Sequence, residues 1–126
     1  MELRCSNTAG IISVVYKERN MTVYLSGPVT GTTDYKERFD FCEEQLKKKF
    51  TYGKCVPEII NPVRMVSTLP ADSDYEFIMQ ICLMVLDRCD GIVLMPGWRK
   101  SIGCNQEYGA AMALHKEVYL WEDLFT

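Results

Sequence analysis

Four short β-rich runs alternate with helical patterns along most of this chain, and that alternation narrows the choice of fold more than any other feature. The runs cover residues 22–26, 56–60, 91–95 and 117–121. Between the first two, Tyr35, Phe39, Cys42, Leu46 and Phe50 recur at spacings of four, three, four and four. That is one face of a 3.6-residue period, and Glu and Lys fill the opposite face. Thr33 or Asp34 is placed to cap this helix, and Lys47, Lys48 and Lys49 near its end complement its dipole. A second helical pattern runs over residues 73–87 and a third from near Gly103 to near His115. Strands that alternate with helices make a parallel sheet, so the expected architecture is an α/β, flavodoxin/Rossmann-like three-layer fold. Counting strands from residue 22, the expected order is 2-1-3-4, with a topological switch point between the first and third.

Ligands in such sheets bind beyond the carboxyl ends of the strands, at the switch. This sorts the polar residues. The segments 26–31, 61–64 and 96–107 and the tail from Glu122 fall on the carboxyl-end side. Asp87 and Asp90 precede the third strand and read as structural. The densest of these segments leads from Pro96, Gly97 and Trp98 through Ser101 and Gly103 to Glu107. A strand end, a Gly-containing loop and a helix start in succession favour an anion, because the first helical N–H groups lack internal partners and the dipole is positive there. Glu107 sits about one turn further in, and a carboxylate beside such a helix start suggests chemistry. Two more loops converge on it: Gly27-Pro28-Val29-Thr30-Gly31, and Asn61-Pro62. Each residue also has a plainer reading. Glu107 would then be a solvated helix residue, Ser101 a helix cap, Tyr24 core and Asn61-Pro62 a turn. Trp98 reads equally as a lid or base-stacking residue and as an oligomer contact.

At 126 residues the chain suits one domain with one core, assigned to residues 21–126 after an N-terminal stretch of 1–20. The net charge of −3 is spread along the chain without a basic stripe, which argues against a nucleic-acid partner. Six irregularly spaced cysteines without a CxxC, and no long apolar leader in the first twenty residues, read as reduced thiols in a cytoplasmic protein. Most would be core; Cys104 is the expected exception, because a helix start lowers a thiol pKa. A single histidine, His115, argues against a metal centre. The nearly apolar run 78–86 is too short to span a bilayer. It makes the second helix apolar almost all round, with Gln80 as its polar break, so that helix must be buried on more than one side. In so small a chain the second side is expected to meet another subunit, giving a homo-oligomer, a dimer or higher. Two readings of the first twenty residues stand. Residues 11–16 add an antiparallel edge strand, followed by polar 17–20, or the whole stretch is an upstream extension with Met21 as the functional start.

The run Tyr24-Leu25-Ser26-Gly27-Pro28-Val29-Thr30-Gly31 resembles the first strand and loop of the nucleoside 2-deoxyribosyltransferase-like proteins. Residues 89–98, followed by Ser101, Gly103 and Glu107, resemble their third strand and catalytic helix start. The similarity covers residue 22 to about 121 and is closest to a small branch with a Leu-Pro-Gly-Trp-type loop, related to 2′-deoxynucleoside 5′-monophosphate N-hydrolases. The resemblance implies a nucleoside or nucleotide substrate and no cofactor. It implies that Glu107 attacks C1′, expels the base and forms a glycosyl ester, which water or a second base resolves. It places Tyr24 near the sugar and nucleophile, Ser101 and Gly103 at a 5′-phosphate, and the loop from Ser26 through Gly31 around sugar and phosphate. Two positions depart from the family. Cys82 stands where relatives commonly have Asp, with Asp72 or Asp74 as the nearest substitutes. Thr30 stands where the phosphate-binding members have Arg, with Arg99 or Lys100 as alternative charges. Relatives also complete their sites from a neighbouring subunit near the C-terminus, where Glu122 and Asp123 are the candidates. Two functions of different class follow: an N-glycosidase or deoxyribosyltransferase, and a non-catalytic nucleotide-binding module. Cys82 is the residue that separates them.

Overall fold

The computed structural model describes residues 2–4 and 17–126. Its centre is a parallel sheet built from β3 (Thr22–Ser26), β4 (Glu58–Ile60), β5 (Gly91–Leu94) and β6 (Glu117–Leu120), in the order β4-β3-β5-β6. Counted from Thr22 this is the expected 2-1-3-4. The switch point lies between β3 and β5, where Tyr24 pairs with Ile92 and Ser26 with Leu94.

Both faces of the sheet are covered, and the period of two along each strand decides which residue meets which helix. Val23 and Leu25 of β3, with Val93 and Met95 at β5, pack on Phe39, Cys42 and Leu46 of helix α1 (Tyr35–Phe50). These are the periodic residues expected to form its buried face. Asp34 occupies the N-cap position but makes no capping bond through its side chain. Tyr24, Ile92 and Leu94 point the other way. They form a second core with Cys82 and Leu86 of α3 (Tyr75–Asp87) and with Cys104 and Ala111 of α4 (Ile102–Ala113). A one-turn helix α2 (Pro62–Val66) follows β4, and a short α5 (Trp121–Leu124) follows β6.

At the amino ends of the strands Asp90 is structural, as expected. Its carboxylate accepts from Thr22 N at 2.9 Å while its own N–H donates to Thr22 O at 2.7 Å. The N-terminal segment differs from expectation. The polar residues read as a connector form β2 (Lys17–Arg19), which pairs in parallel with β1 (Glu2–Arg4) in a separate two-stranded sheet. The edge strand expected at 11–16 lies outside the described residues. Among the described residues no helix is long and apolar enough to cross a membrane. Cys42, Cys82, Cys89 and Cys104 are free and buried, as core thiols should be. Cys55, half-buried at the end of the exposed turn after α1, is disulfide-bonded and so departs from the reading of every cysteine as reduced.

Candidate functional site

The site begins with the alternation in β3. Tyr24 and Ser26 are two residues apart, so both side chains leave the same face of the strand, the face that α4 crosses. Glu107, on the second turn of α4, is carried over them. The Tyr24 hydroxyl donates to Glu107 Oε2, and the Ser26 hydroxyl donates to Oε1 at 2.6 Å. Each carboxylate oxygen therefore has one hydroxyl donor. Glu107 is only 7% exposed, and burial raises its pKa above the ordinary 4.5. The bonds from Ser26 and Tyr24 act in the opposite sense without cancelling the shift. The Tyr24 phenol is pushed well above its usual value, first by its own burial and then by the neighbouring Glu107 charge. It is thus held as a donor.

Glu107 lines a cavity of about 760 Å³ at the carboxyl ends of β3 and β4. That volume is in the range of small-molecule pockets, roughly 300–1,000 Å³. The first loop contributes Gly27, Val29 and Thr30, and the start of α4 contributes Ser101, Gly103 and Cys104. Ser101 caps α4, its hydroxyl accepting from Cys104 N at 3.2 Å. The first loop is fixed by close contact. A Cβ on Gly27 would lie 2.5 Å from Met95 Sδ and 3.1 Å from the Phe39 ring. Arg38 holds the loop from outside, donating to Pro28 O at 2.6 Å.

Several expected site residues stand elsewhere. Pro28, Gly31, Pro96 and Gly97 shape the loops without lining the cavity. Gly97 takes φ 87°, a left-handed conformation, and a Cβ there would approach Pro28 Cγ at 3.3 Å. Trp98 is neither a lid nor an exposed contact. It is 8% exposed and packs on Tyr108 at 5.0 Å between ring centroids, because the short turn after Gly97 rolls it inward against α4. The Asn61 side chain faces α1, donating to Asp40 and Glu43 at 3.1 Å each, while its oxygen caps α2. Its neighbour Pro62 does line the cavity.

The proposed substitutes are also redistributed. Asp74 is the N-cap of α3, accepting from Phe77 N at 2.8 Å, and neither it nor Asp72 reaches the cavity. Cys82 does reach it, and burial raises its thiol above the ordinary value. Arg99 pairs with Glu122 at 3.2 Å and lies over Trp98, away from the cavity with Lys100. Among the described residues the cation that lines the cavity is Lys36, at the start of α1. The Cys104 thiol is raised by burial, the reverse of the expected lowering; bonds from Ser101 and Ser26 offset this in part. Burial outweighs the helix dipole because the thiol sits under the helix, 1% exposed, rather than at its open end.

The sequence reading missed Lys36, Arg38 and Tyr75. Tyr75 is an exposed part of the cavity lining and donates to Gln106 Oε1 at 2.8 Å. A signal for it existed, since Asp74 is a good cap and the residue after a cap opens the helix on the site side. Lys36 and Arg38 carry no such mark in a helix whose outer face is already Glu- and Lys-rich. Among the described residues no group of His, Cys, Asp and Glu has the arrangement of a metal site.

Comparison with known proteins agrees with this architecture. The chain is similar to the solved structure of a 2-desoxiribosyltransferase from Leishmania mexicana, with a TM-score of 0.54 and 22% sequence identity. The alignment covers 79% of this chain and 63% of that one, so the chain spans less than two thirds of its neighbour's length. At that identity the likeness establishes the shared fold. No curated protein matches the sequence. Residues 21–120 match the family model described as a domain of unknown function, DUF4406. With that match running from the start of β3 to the end of β6, the chain belongs to the DUF4406 family.

Proposed function

We propose that this protein cleaves or transfers the N-glycosidic bond of a (deoxy)nucleoside or nucleotide, with Glu107 as nucleophile. The observation that carries the reading is the buried Glu107 carboxylate with one hydroxyl donor on each oxygen, from Tyr24 and Ser26, in the lining of a substrate-sized cavity. A carboxylate costs several kcal/mol to bury, and two charge-assisted bonds that orient it offset part of that cost. An ordinary helix-surface Glu has no reason to be held this way. Glu107 Oε attacks C1′ as the C1′–N bond breaks, and the base leaves with the bonding electrons and takes up a proton. The glycosyl ester then falls to water or to an incoming base, with net retention. Tyr24 and Ser26 stabilise the carboxylate each time it is released. Ser101 and Gly103 at the start of α4, with Lys36 nearby, would face a 5′-phosphate or the sugar hydroxyls. The shared fold with a 2-desoxiribosyltransferase supports the same chemistry, as does the resemblance to the branch with the Leu-Pro-Gly-Trp-type loop.

A second reading, a nucleotide-binding module without turnover, is favoured by one observation. Glu107 is the sole carboxylate lining the cavity among the described residues, with Cys82 where an Asp is expected. One experiment separates the two. The protein is incubated with a panel of nucleosides and 5′-monophosphates and free base is assayed by chromatography. Base release that Glu107→Ala abolishes supports the enzyme. Thermal stabilisation by a nucleotide recovered intact supports the module. No response to any panel member rejects both.

A further inference from the structure

Away from Glu107 the cavity changes character. Its wall over β4 is made mainly by Pro62, Val63 and Val66 of α2 and by Leu69 and Pro70 in the loop that follows, with Ser67 and Ser73 among them. Polar side chains are plentiful in this segment, yet their donors are already used. Asn61 and Arg64 are held by Asp40 and Glu43 of α1, Arg64 at 2.7 and 3.1 Å. The hydroxyls of Ser67, Thr68 and Ser73 donate to Arg64 O, Met65 O and Pro70 O at 2.6, 2.8 and 2.7 Å. Asp74 is committed to its cap. The groups suited to a polar sugar, namely Thr30, Lys36, Ser101 and the Gly103 backbone, belong instead to the first loop, the start of α1 and the start of α4.

A ligand whose anomeric carbon meets Glu107 would therefore turn its sugar toward the polar side and its base toward α2. We infer that this wall selects the base, favouring a heterocycle whose outer edge carries an apolar substituent over one rich in hydrogen-bonding groups. The inference rests on the N-glycosidic reading above. Its physical basis is an asymmetry. A polar base edge against the wall loses water and gains no side-chain donor, only the lone pairs of the Ser67 and Ser73 hydroxyls, whereas an alkyl group gains burial. Val66 and Leu69 are the specificity-determining residues.

The test compares 2′-deoxyribosides and ribosides of purine, 6-methylpurine, 6-propylpurine and hypoxanthine, by base release and by thermal shift. The expected result is that kcat/KM rises along the alkyl series by roughly four-fold per methylene. Hypoxanthine is expected to be poorest, and Leu69→Thr should flatten the series. Val66→Thr, a replacement of equal shape, serves if the Leu69 variant fails to fold. Base release that is uniform across the series, or fastest for hypoxanthine, overturns the selective wall and leaves the glycosidic reading intact. Stabilisation that grows with the alkyl group but without base release supports the wall and overturns turnover. Neither release nor stabilisation overturns both.

Discussion

Glu107 sets the pH behaviour expected of this protein. In the unfolded chain it titrates near its ordinary value of 4.5, and burial raises that value in the native state. Between the two pKa values the native state keeps a proton that the unfolded chain has released. This contribution to stability is complete below 4.5 and is lost as pH rises through the native pKa. The melting temperature of the wild type, compared with Glu107→Gln, should fall as pH climbs through that window and level off above it. Base release should run the other way, rising as the carboxylate ionises. Tyr24→Phe keeps the ring and removes one donor. Loss of a hydrogen bond to a charged group, about 1.5–3 kcal/mol, corresponds to roughly 10- to 150-fold in kcat/KM. Because the Tyr24 bond lowers the Glu107 pKa, its loss should also move the acid limb of the pH profile upward. An unchanged rate and profile would remove Tyr24 from the site. At this scale the strand end and helix start before it singled out Glu107, whereas Tyr24 entered only through the family resemblance and Ser26 only as the start of the first loop. Lys36 and Arg38 were not legible, because nothing local distinguishes a site-facing cation from its solvated neighbours.

Among elements, the turn after β5 is the most tightly specified. Gly97 needs φ 87°, which costs a side-chain-bearing residue about 1–2 kcal/mol. The nearby Pro28 ring leaves a Cβ little room. Gly97→Ala is therefore expected to lower unfolding free energy by about that amount, read as an earlier urea midpoint at unchanged slope. A neutral result would mean that the turn relaxes without consequence. The same turn sends Trp98 inward, which no pattern in Pro96, Gly97 and Trp98 announced. The helix α2 was not expected: Asn61-Pro62 read as a turn, although Asn61 caps the helix and Pro62 takes its first position. At one turn long it reads as a bend until β4 and α1 give it neighbours. Helix α1 was legible in full, since five apolar residues at helical spacing permit one buried face.

The whole molecule leaves one helix unfinished. Cys82 and Leu86 of α3 are buried, but Phe77 is 42% exposed and Met84 71% exposed on the same helix. Ile102, at the start of the adjacent α4, is 76% exposed. The apolar character that the sequence distributes around α3 therefore exceeds what the described residues cover. We expect a dimer or higher oligomer by light scattering at micromolar concentration, and a shift toward monomer in Met84→Glu. The exposed position of Met84 means that this change should leave the monomer fold intact. A wild type that is monomeric at every concentration would reject the interface.

The alternation of strands and helices, their order around the switch point and the buried face of α1 followed from the sequence alone. Periodicity and chain direction are local properties, and parallel α/β topology leaves few ways to combine them. The sequence also singled out Glu107. Tertiary structure decided what surrounds it: Tyr24 and Ser26 on its two oxygens, Cys82 and Cys104 as buried high-pKa thiols, Lys36 in the cavity lining and a largely apolar wall toward α2. Burial, hydrogen-bond commitment and pKa depend on residues far apart in the chain. A serine in the sequence is a donor in waiting, and only the fold decides that Ser26 donates to Glu107 while Ser67 is already bound to its own backbone.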